Sequence, residues 1–166
     1  MPPVIELKPR KTTKPPKQEP PLAFLGTDVI LAYLAGEPSA VRLFSAGFDG
    51  LVRFAINPVV VQELLLTPGA AARPEFERIR GRLKVLPIDF AKVEALAADV
   101  SRALDNMLPD PHLRKRLAHS NDLIILSSAG DCDFLVTKDK RLKDLVTEEK
   151  PLVVTPKGLV ARLKAA

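Results

Sequence analysis

The chain has 166 residues, with 25 Lys plus Arg against 20 Asp plus Glu for a net charge of +5, and it is 46% hydrophobic. That length suits one domain, and the composition is that of a cored globular protein. One cysteine, Cys132, rules out an internal disulfide, and with only His112 and His119 beside it a Cys/His zinc cage is ruled out too.

Such sparse cysteine fits a reducing cytosol. No uncharged apolar run approaches the ~18 residues of a membrane helix. Residues 22–36 follow a basic stretch as a signal peptide would, but Asp28 sits in their middle. A charge there is costly to insert, so the run reads as a buried strand entering a helix, and the protein as soluble and cytoplasmic, without a membrane partner.

Residues 1–21 differ from the rest. They hold seven prolines and five bases (Lys8, Arg10, Lys11, Lys14, Lys17) against Glu6 and Glu19. That accounts for +3 of the +5 and leaves the body nearly balanced. A segment this rich in Pro and Lys buries too little to offset its ordering entropy. It is expected to be a disordered arm, either touching phosphates or simply solvated, with 22–166 as the folded domain.

Within that domain Leu22–Leu25 reads as a short buried strand. Residues 28–35 and 38–48 read as helices, the second with Val41, Phe44 and Phe48 on one side. Residues 52–56 form a second strand. Asn57-Pro58 then opens a helix, Asn as cap and Pro at the first position, running through Glu63 to Leu66. Residues 74–84 read as a basic helix, and 85–88 as a third strand kept to an edge by Pro87. Asp89 caps a helix whose stripe is Phe90, Val93, Ala97, Val100 and Leu104. Pro109-Asp-Pro111 ends it. A helix over 121–129 closed by Gly130, strands at 134–137 and 152–154, and a last helix at 158–164 complete the chain.

Alternating strands and helices predict an α/β fold: a three-layer α/β/α sandwich around a central, mostly parallel five-stranded sheet. Ligands in such sheets bind beyond the carboxyl ends of the strands, at the topological switch. No G-x-G-x-x-G, G-x-x-x-x-G-K-[ST] or G-x-S-x-G occurs in the sequence. Tyr33 is the only tyrosine, which leaves no aromatic platform for stacked bases.

Carboxylates do fall at strand ends. Asp28 follows the first strand, Glu63 lies on the helix after the second, Asp122 opens the helix before the fourth, and Asp139 stands two residues beyond Thr137. Each has an ordinary alternative: Asp28 as a helix cap, Asp122 as an acid favoured at a helix N-terminus, Glu63 as a solvent-facing side chain, Asp139 as a turn residue. Gathered together they would repel unless a cation or shared protons intervened. Mg²⁺ or Mn²⁺, which prefer oxygen ligands, would suit such a cluster and can activate water against a phosphodiester.

The segment Ser120-Asn-Asp-Leu-Ile-Ile-Leu-Ser-Ser-Ala129, followed by Asp133-Phe-Leu-Val-Thr-Lys-Asp139, resembles the C-terminal signature of PIN-domain ribonucleases, including toxins of VapC type. Asn57-Pro-Val-Val-Val-Gln-Glu-Leu-Leu65 resembles that family's second motif, and Phe24-Leu-Gly-Thr-Asp-Val-Ile-Leu-Ala-Tyr-Leu34 its first. The likeness covers about residues 22–156. It implies a metal-dependent endoribonuclease in which Glu63, Asp122 and Asp139 hold Mg²⁺ or Mn²⁺, Thr137 orients a ligand, and metal-activated water attacks phosphorus in line. Asp28 would be a fourth catalytic and metal-binding acid. The same likeness implies RNA as substrate, a cognate antitoxin where the protein is a toxin, and a homodimer by analogy.

Two departures stand out. Gly26 occupies the family's leading Asp, so Asp28, two residues on and on the same side of an extended strand, is a substitute or only a cap. Arg141-Leu142 replaces the Asp-Phe pair of many relatives. Arg114-Lys-Arg116 precedes Asp122 and is expected at the rim of the cleft, and with Lys138 and Lys140 it would meet an RNA backbone or form a solvated face. His112 and His119 have no nucleophile to pair with. Gly26 and the basic arm keep a rival open: a PIN-fold protein that binds RNA or a protein partner without turnover. A receiver- or phosphatase-type domain lacks its paired acids at the first strand end.

Overall fold

The structure, a computed structural model, describes residues 18–106, 111–146 and 150–165. Its centre is a parallel sheet of β1 (Leu22–Leu25), β2 (Arg53–Ile56), β3 (Leu83–Val85), β4 (Phe134–Val136) and β5 (Leu152–Val154), in the order β3-β2-β1-β4-β5. The register sets Phe24 beside Ala55 on one flank and Leu135 on the other. All three are fully buried. Strands covered on both faces read as unbroken apolar runs, which is why these segments lack alternation.

Around the sheet lie α1 (Thr27–Leu34), α2 (Pro38–Phe48), α3 (Pro58–Leu66), α4 (Pro74–Arg80), α5 (Phe90–Asn106), α6 (Pro111–Ala118), α7 (Asp122–Ala129), α8 (Lys140–Leu145) and α9 (Pro156–Ala165). α2 packs on α1 and α9, and α7 on α5 and α3. The sheet is thus the middle of three layers. On one face Phe44 stacks on Tyr33 and Phe54, with ring centroids 4.3 and 4.9 Å away. Gly47 permits this approach, because a Cβ there would come within 2.3 Å of the Phe54 ring.

Asn57 joins the other layer together. It is fully buried, and its Oδ1 accepts the Val60 N–H at 3.1 Å as the cap of α3. Its Nδ2 donates to Ser128 Oγ at 3.1 Å and to the Ile124 carbonyl at 3.4 Å. One side chain therefore starts α3 and ties it to α7.

The expected arm is fastened at its end. Arg53 donates its backbone N–H to the Pro21 carbonyl at 2.8 Å and its Nε to the Pro20 carbonyl at 2.9 Å, and its guanidinium lies 3.4 Å from Glu19. Residues 1–17, with all five of the arm's bases, lie outside the described residues. Among the described residues no helix is long and apolar enough to cross a membrane.

Four elements differ from expectation. The basic helix stops at Arg80 and the third strand begins at Leu83, not Val85. Gly81 ends the helix, and Arg82 N–H still bonds the Ile79 carbonyl at 2.9 Å, so the chain is free to pair from Leu83. Leu86 N–H makes the last bond to Ile56, at 2.7 Å, and Pro87 has no N–H to continue it. The strand does form the sheet's edge. α6 begins at Pro111, a residue read as a stop, because Pro is tolerated in a helix's first turn. α8 is too short to show a period. On α5, Asp89 caps as expected, accepting from Ala91 and Lys92 N–H. Its stripe is only lightly covered, however: Val100 is buried whereas Phe90 is 79% exposed.

Candidate active site at the carboxyl edge of the sheet

The strand order reverses between β1 and β4, so the crevice expected to receive a ligand lies beyond their carboxyl ends. The residues there are Gly26, Thr27 and Asp28 after β1, and Thr137, Lys138 and Asp139 after β4. They are bonded to one another. Asp28 Oδ2 accepts the Lys138 N–H at 2.7 Å and the Thr137 hydroxyl at 3.3 Å. Thr137, itself buried, accepts the Asp139 N–H at 3.0 Å through the same Oγ1. Its own N–H reaches the Val154 carbonyl at 3.0 Å, which anchors the turn to β5.

Glu63 forms a second cluster. From α3 its half-buried carboxylate accepts the Thr27 hydroxyl at 2.6 Å on Oε2 and Asn121 Nδ2 at 3.0 Å on Oε1. Thr27 is the chain neighbour of Asp28, and Asn121 of Asp122. Glu63 thus draws the β1–α1 corner and the start of α7 toward the same place. It is not a solvent-facing side chain. Asp122 is the first residue of α7, half-buried, with its N–H 3.4 Å from Ser120 Oγ. Asp139 is half-buried in the turn before α8. Asp28 is not a cap, since α1 has no side-chain cap bond.

All the donors offered here are hard oxygens, the chemistry Mg²⁺ or Mn²⁺ requires. As the side chains stand, no three Asp, Glu, His or Cys among the described residues are grouped to hold one ion. Asp28 and Glu63 are engaged by the protein donors Thr27, Asn121, Thr137 and Lys138. The set fits a divalent cation by donor type, and an ion would have to draw the carboxylates together.

Two of the predicted bases, Arg114 and Lys138, are committed to other acids. Arg114 bonds Asp105 at 2.6 Å and Ser101 at 3.1 Å, so it clamps α6 to α5. Lys138 Nζ lies 2.7 Å from Glu37, and this ammonium holds the Glu37 carboxyl below its ordinary pKa. Lys115 and Arg116 are exposed on α6. The side chains of Lys140 and Arg141 lie outside the described residues, and Leu142 is buried.

Sequence reasoning assigned no role to Thr27, Asn121 or the Lys138 N–H. Thr27 and Asn121 each adjoin a singled-out acid, which is the one signal that could have found them. The Lys138 contact is made by backbone and leaves no trace in residue type.

No protein-family model matches the chain, and no curated protein matches it. Among solved structures it is similar to a chain in the crystal structure of VapBC2 from Rickettsia felis bound to a DNA fragment from their promoter. The TM-score is 0.50 and the identity 19%, over 81% of this chain and 98% of that one. At that identity the likeness is one of fold: a five-stranded parallel sheet between helical layers.

Proposed function

We propose that the protein is a metal-dependent endoribonuclease of PIN type, cleaving RNA phosphodiesters. One observation carries this reading. Glu63 accepts from Thr27 and from Asn121, the chain neighbours of Asp28 and Asp122, and so ties the two segments that carry these acids. The fold shared with a VapBC2 chain and the quoted motifs agree with it. Glu63, Asp122 and Asp139 are the residues that would hold Mg²⁺ or Mn²⁺. When bound, such an ion supplies an activated water and neutralises phosphate charge. Thr27 and Asn121 fix the two oxygens of Glu63, and Thr137 fixes the backbone of Asp139. Lys115 and Arg116 are the exposed bases available to the RNA backbone. By the same analogy the partners are a cognate antitoxin and a second copy of the chain, in the cytoplasm.

A second reading has its own support: Gly26 stands where a leading acid is usual, and Asp28 and Glu63 already spend oxygens on protein donors. It is an RNA- or protein-binding domain without turnover. Labelled RNA incubated with the protein and Mn²⁺ separates the two. Cleavage should vanish with EDTA and fall at least about 100-fold in Asp122→Asn and in Asp139→Asn. Wild-type protein that retains RNA uncut under these conditions would establish the second reading. Cleavage that survives both EDTA and Asp122→Asn would end the metal mechanism.

A further inference from the structure

Gly26 caps α1 with φ −67° and ψ 154°, an extended conformation open to any residue. The missing side chain therefore concerns space and not backbone freedom. A Cβ at position 26 would lie 2.5 Å from Asp28 Oδ1, well inside van der Waals contact. The nearest obstacle is the side chain of Asp28 itself. A side chain at 26 would make Asp28 Oδ1 shift, while Oδ2 is the oxygen that carries the bonds to the turn.

The pose has a purpose visible in its bonds. Asp28 leans from the first turn of α1 over the sheet edge to the opposite corner. There it takes the Lys138 N–H and the Thr137 hydroxyl on one oxygen, and that hydroxyl oxygen takes the Asp139 N–H. The Gly26 N–H adds a fourth bond to the Val136 carbonyl at 2.9 Å. Residue 28 thus holds turn 137–139 from one side and residue 26 the end of β4, while the Thr137 N–H bond to the Val154 carbonyl holds the turn from the other.

We infer that Asp28 is a positioning residue: in the space Gly26 leaves, it acts as a hydrogen-bond acceptor that locks turn 137–139 and aims Asp139 into the crevice. The turn requires a lone pair at Oδ2. It does not require a negative charge, which distinguishes this role from that of an ion ligand. The lock stands on geometry alone. Its consequence for ion binding rests on the nuclease reading above.

The experiment compares full-length wild type with Asp28→Asn, Asp28→Ala and Gly26→Ala. Amide hydrogen exchange at Lys138 is followed by NMR, with the Leu135 amide in mid-sheet as the check that each variant is folded. Asn keeps an acceptor oxygen, so Lys138 protection should match wild type. In Asp28→Ala it should drop at least about 10-fold, as local opening loses its main restraint. Gly26→Ala should lower protection by no more than Asp28→Ala does, because the new Cβ meets Asp28 Oδ1 and not the bonded Oδ2, and adding it to Asp28→Ala should cost nothing further. The Mn²⁺ dissociation constant, read from paramagnetic broadening, should rise about 10-fold in Asp28→Ala and stay within about twofold in Asp28→Asn. Unchanged Lys138 exchange in Asp28→Ala overturns the lock. Equal loss in Asn and Ala overturns the acceptor role in favour of charge. Wild type that binds no Mn²⁺ counts against the nuclease reading, and the exchange data still decide the lock.

Discussion

Single side chains set two measurable properties of this protein. Cys132 is fully buried before β4. Burial, reinforced by the flanking Asp131 and Asp133 charges, pushes its thiol up to about 11. The thiolate is the reactive form, so at pH 8 the folded protein should leave 5,5′-dithiobis(2-nitrobenzoate) untouched, with one equivalent reacting promptly in urea. Fast reaction without denaturant would show the strand end to be open. Asp133 next door behaves oppositely. Its carboxylate accepts the Leu22 N–H at 2.8 Å and faces Lys150 at 3.4 Å, and these hold its pKa below the ordinary Asp value. A lowered native pKa means that the unfolded chain binds the proton more tightly. The stabilisation is then complete above the ordinary value of about 3.9 and disappears as pH falls through the native one. Melting curves should show wild type more stable than Asp133→Asn at pH 6, with the gap closing toward pH 3. A gap that is constant with pH would remove the ion pair and the Leu22 bond from the acid response.

At the scale of elements, Asn57 is where local and tertiary signals coincide. Replacement by alanine removes the α3 cap, leaves Val60 N–H unpaired in the core, and cuts the bonds to Ser128 and Ile124. The expected loss is about 2–3 kcal/mol, seen as a lower urea midpoint at unchanged slope. A loss under about 0.5 kcal/mol would mean that α3 and α7 are held by apolar contacts alone. The Asn-Pro dipeptide made this cap legible because capping is decided within four residues. The same holds for Asp89 on α5, for the buried strands β1, β2 and β4, and for the edge strand β5, whose apolar runs admit one placement. β3 was displaced because Leu83 and Lys84 could continue a helix or pair with a strand, and only Phe54 and Ala55 across the sheet decide between them. The α5 stripe was visible as a pattern, but a pattern does not say how much of a long helix its neighbours cover. The four acids were legible by position. The bonds that hold Asp28 and Glu63 were not, because their partners are Thr27, Asn121 and a backbone amide reaching across 36 to 110 residues.

At the scale of the whole molecule, the charge divides by location. Among the described bases Arg53 clamps the chain entering β1 and Arg114 clamps α6 to α5, while Asp28, Glu63, Asp122 and Asp139 come from four separate segments near the carboxyl ends of the strands. A fold that holds like charges near one another gains stability from any cation that binds there and not to the unfolded chain. Mn²⁺ at about 100 times its dissociation constant should add about 2.7 kcal/mol, which for a chain of this size is a rise in Tm of roughly 5–11 °C. Ca²⁺, larger and content with more ligands, should give a smaller rise. Asp122→Asn and Asp139→Asn should each abolish most of the Mn²⁺ effect while leaving the Tm in EDTA within a few degrees of wild type. Differential scanning fluorimetry makes the comparison without RNA, so it reports on the acids apart from any turnover. An Mn²⁺ shift that persists undiminished in both variants would place the ion elsewhere on the molecule. The absence of any shift in wild type would leave the carboxyl edge to the second reading, a binding surface whose acids are satisfied by Thr27, Asn121 and the turn after β4.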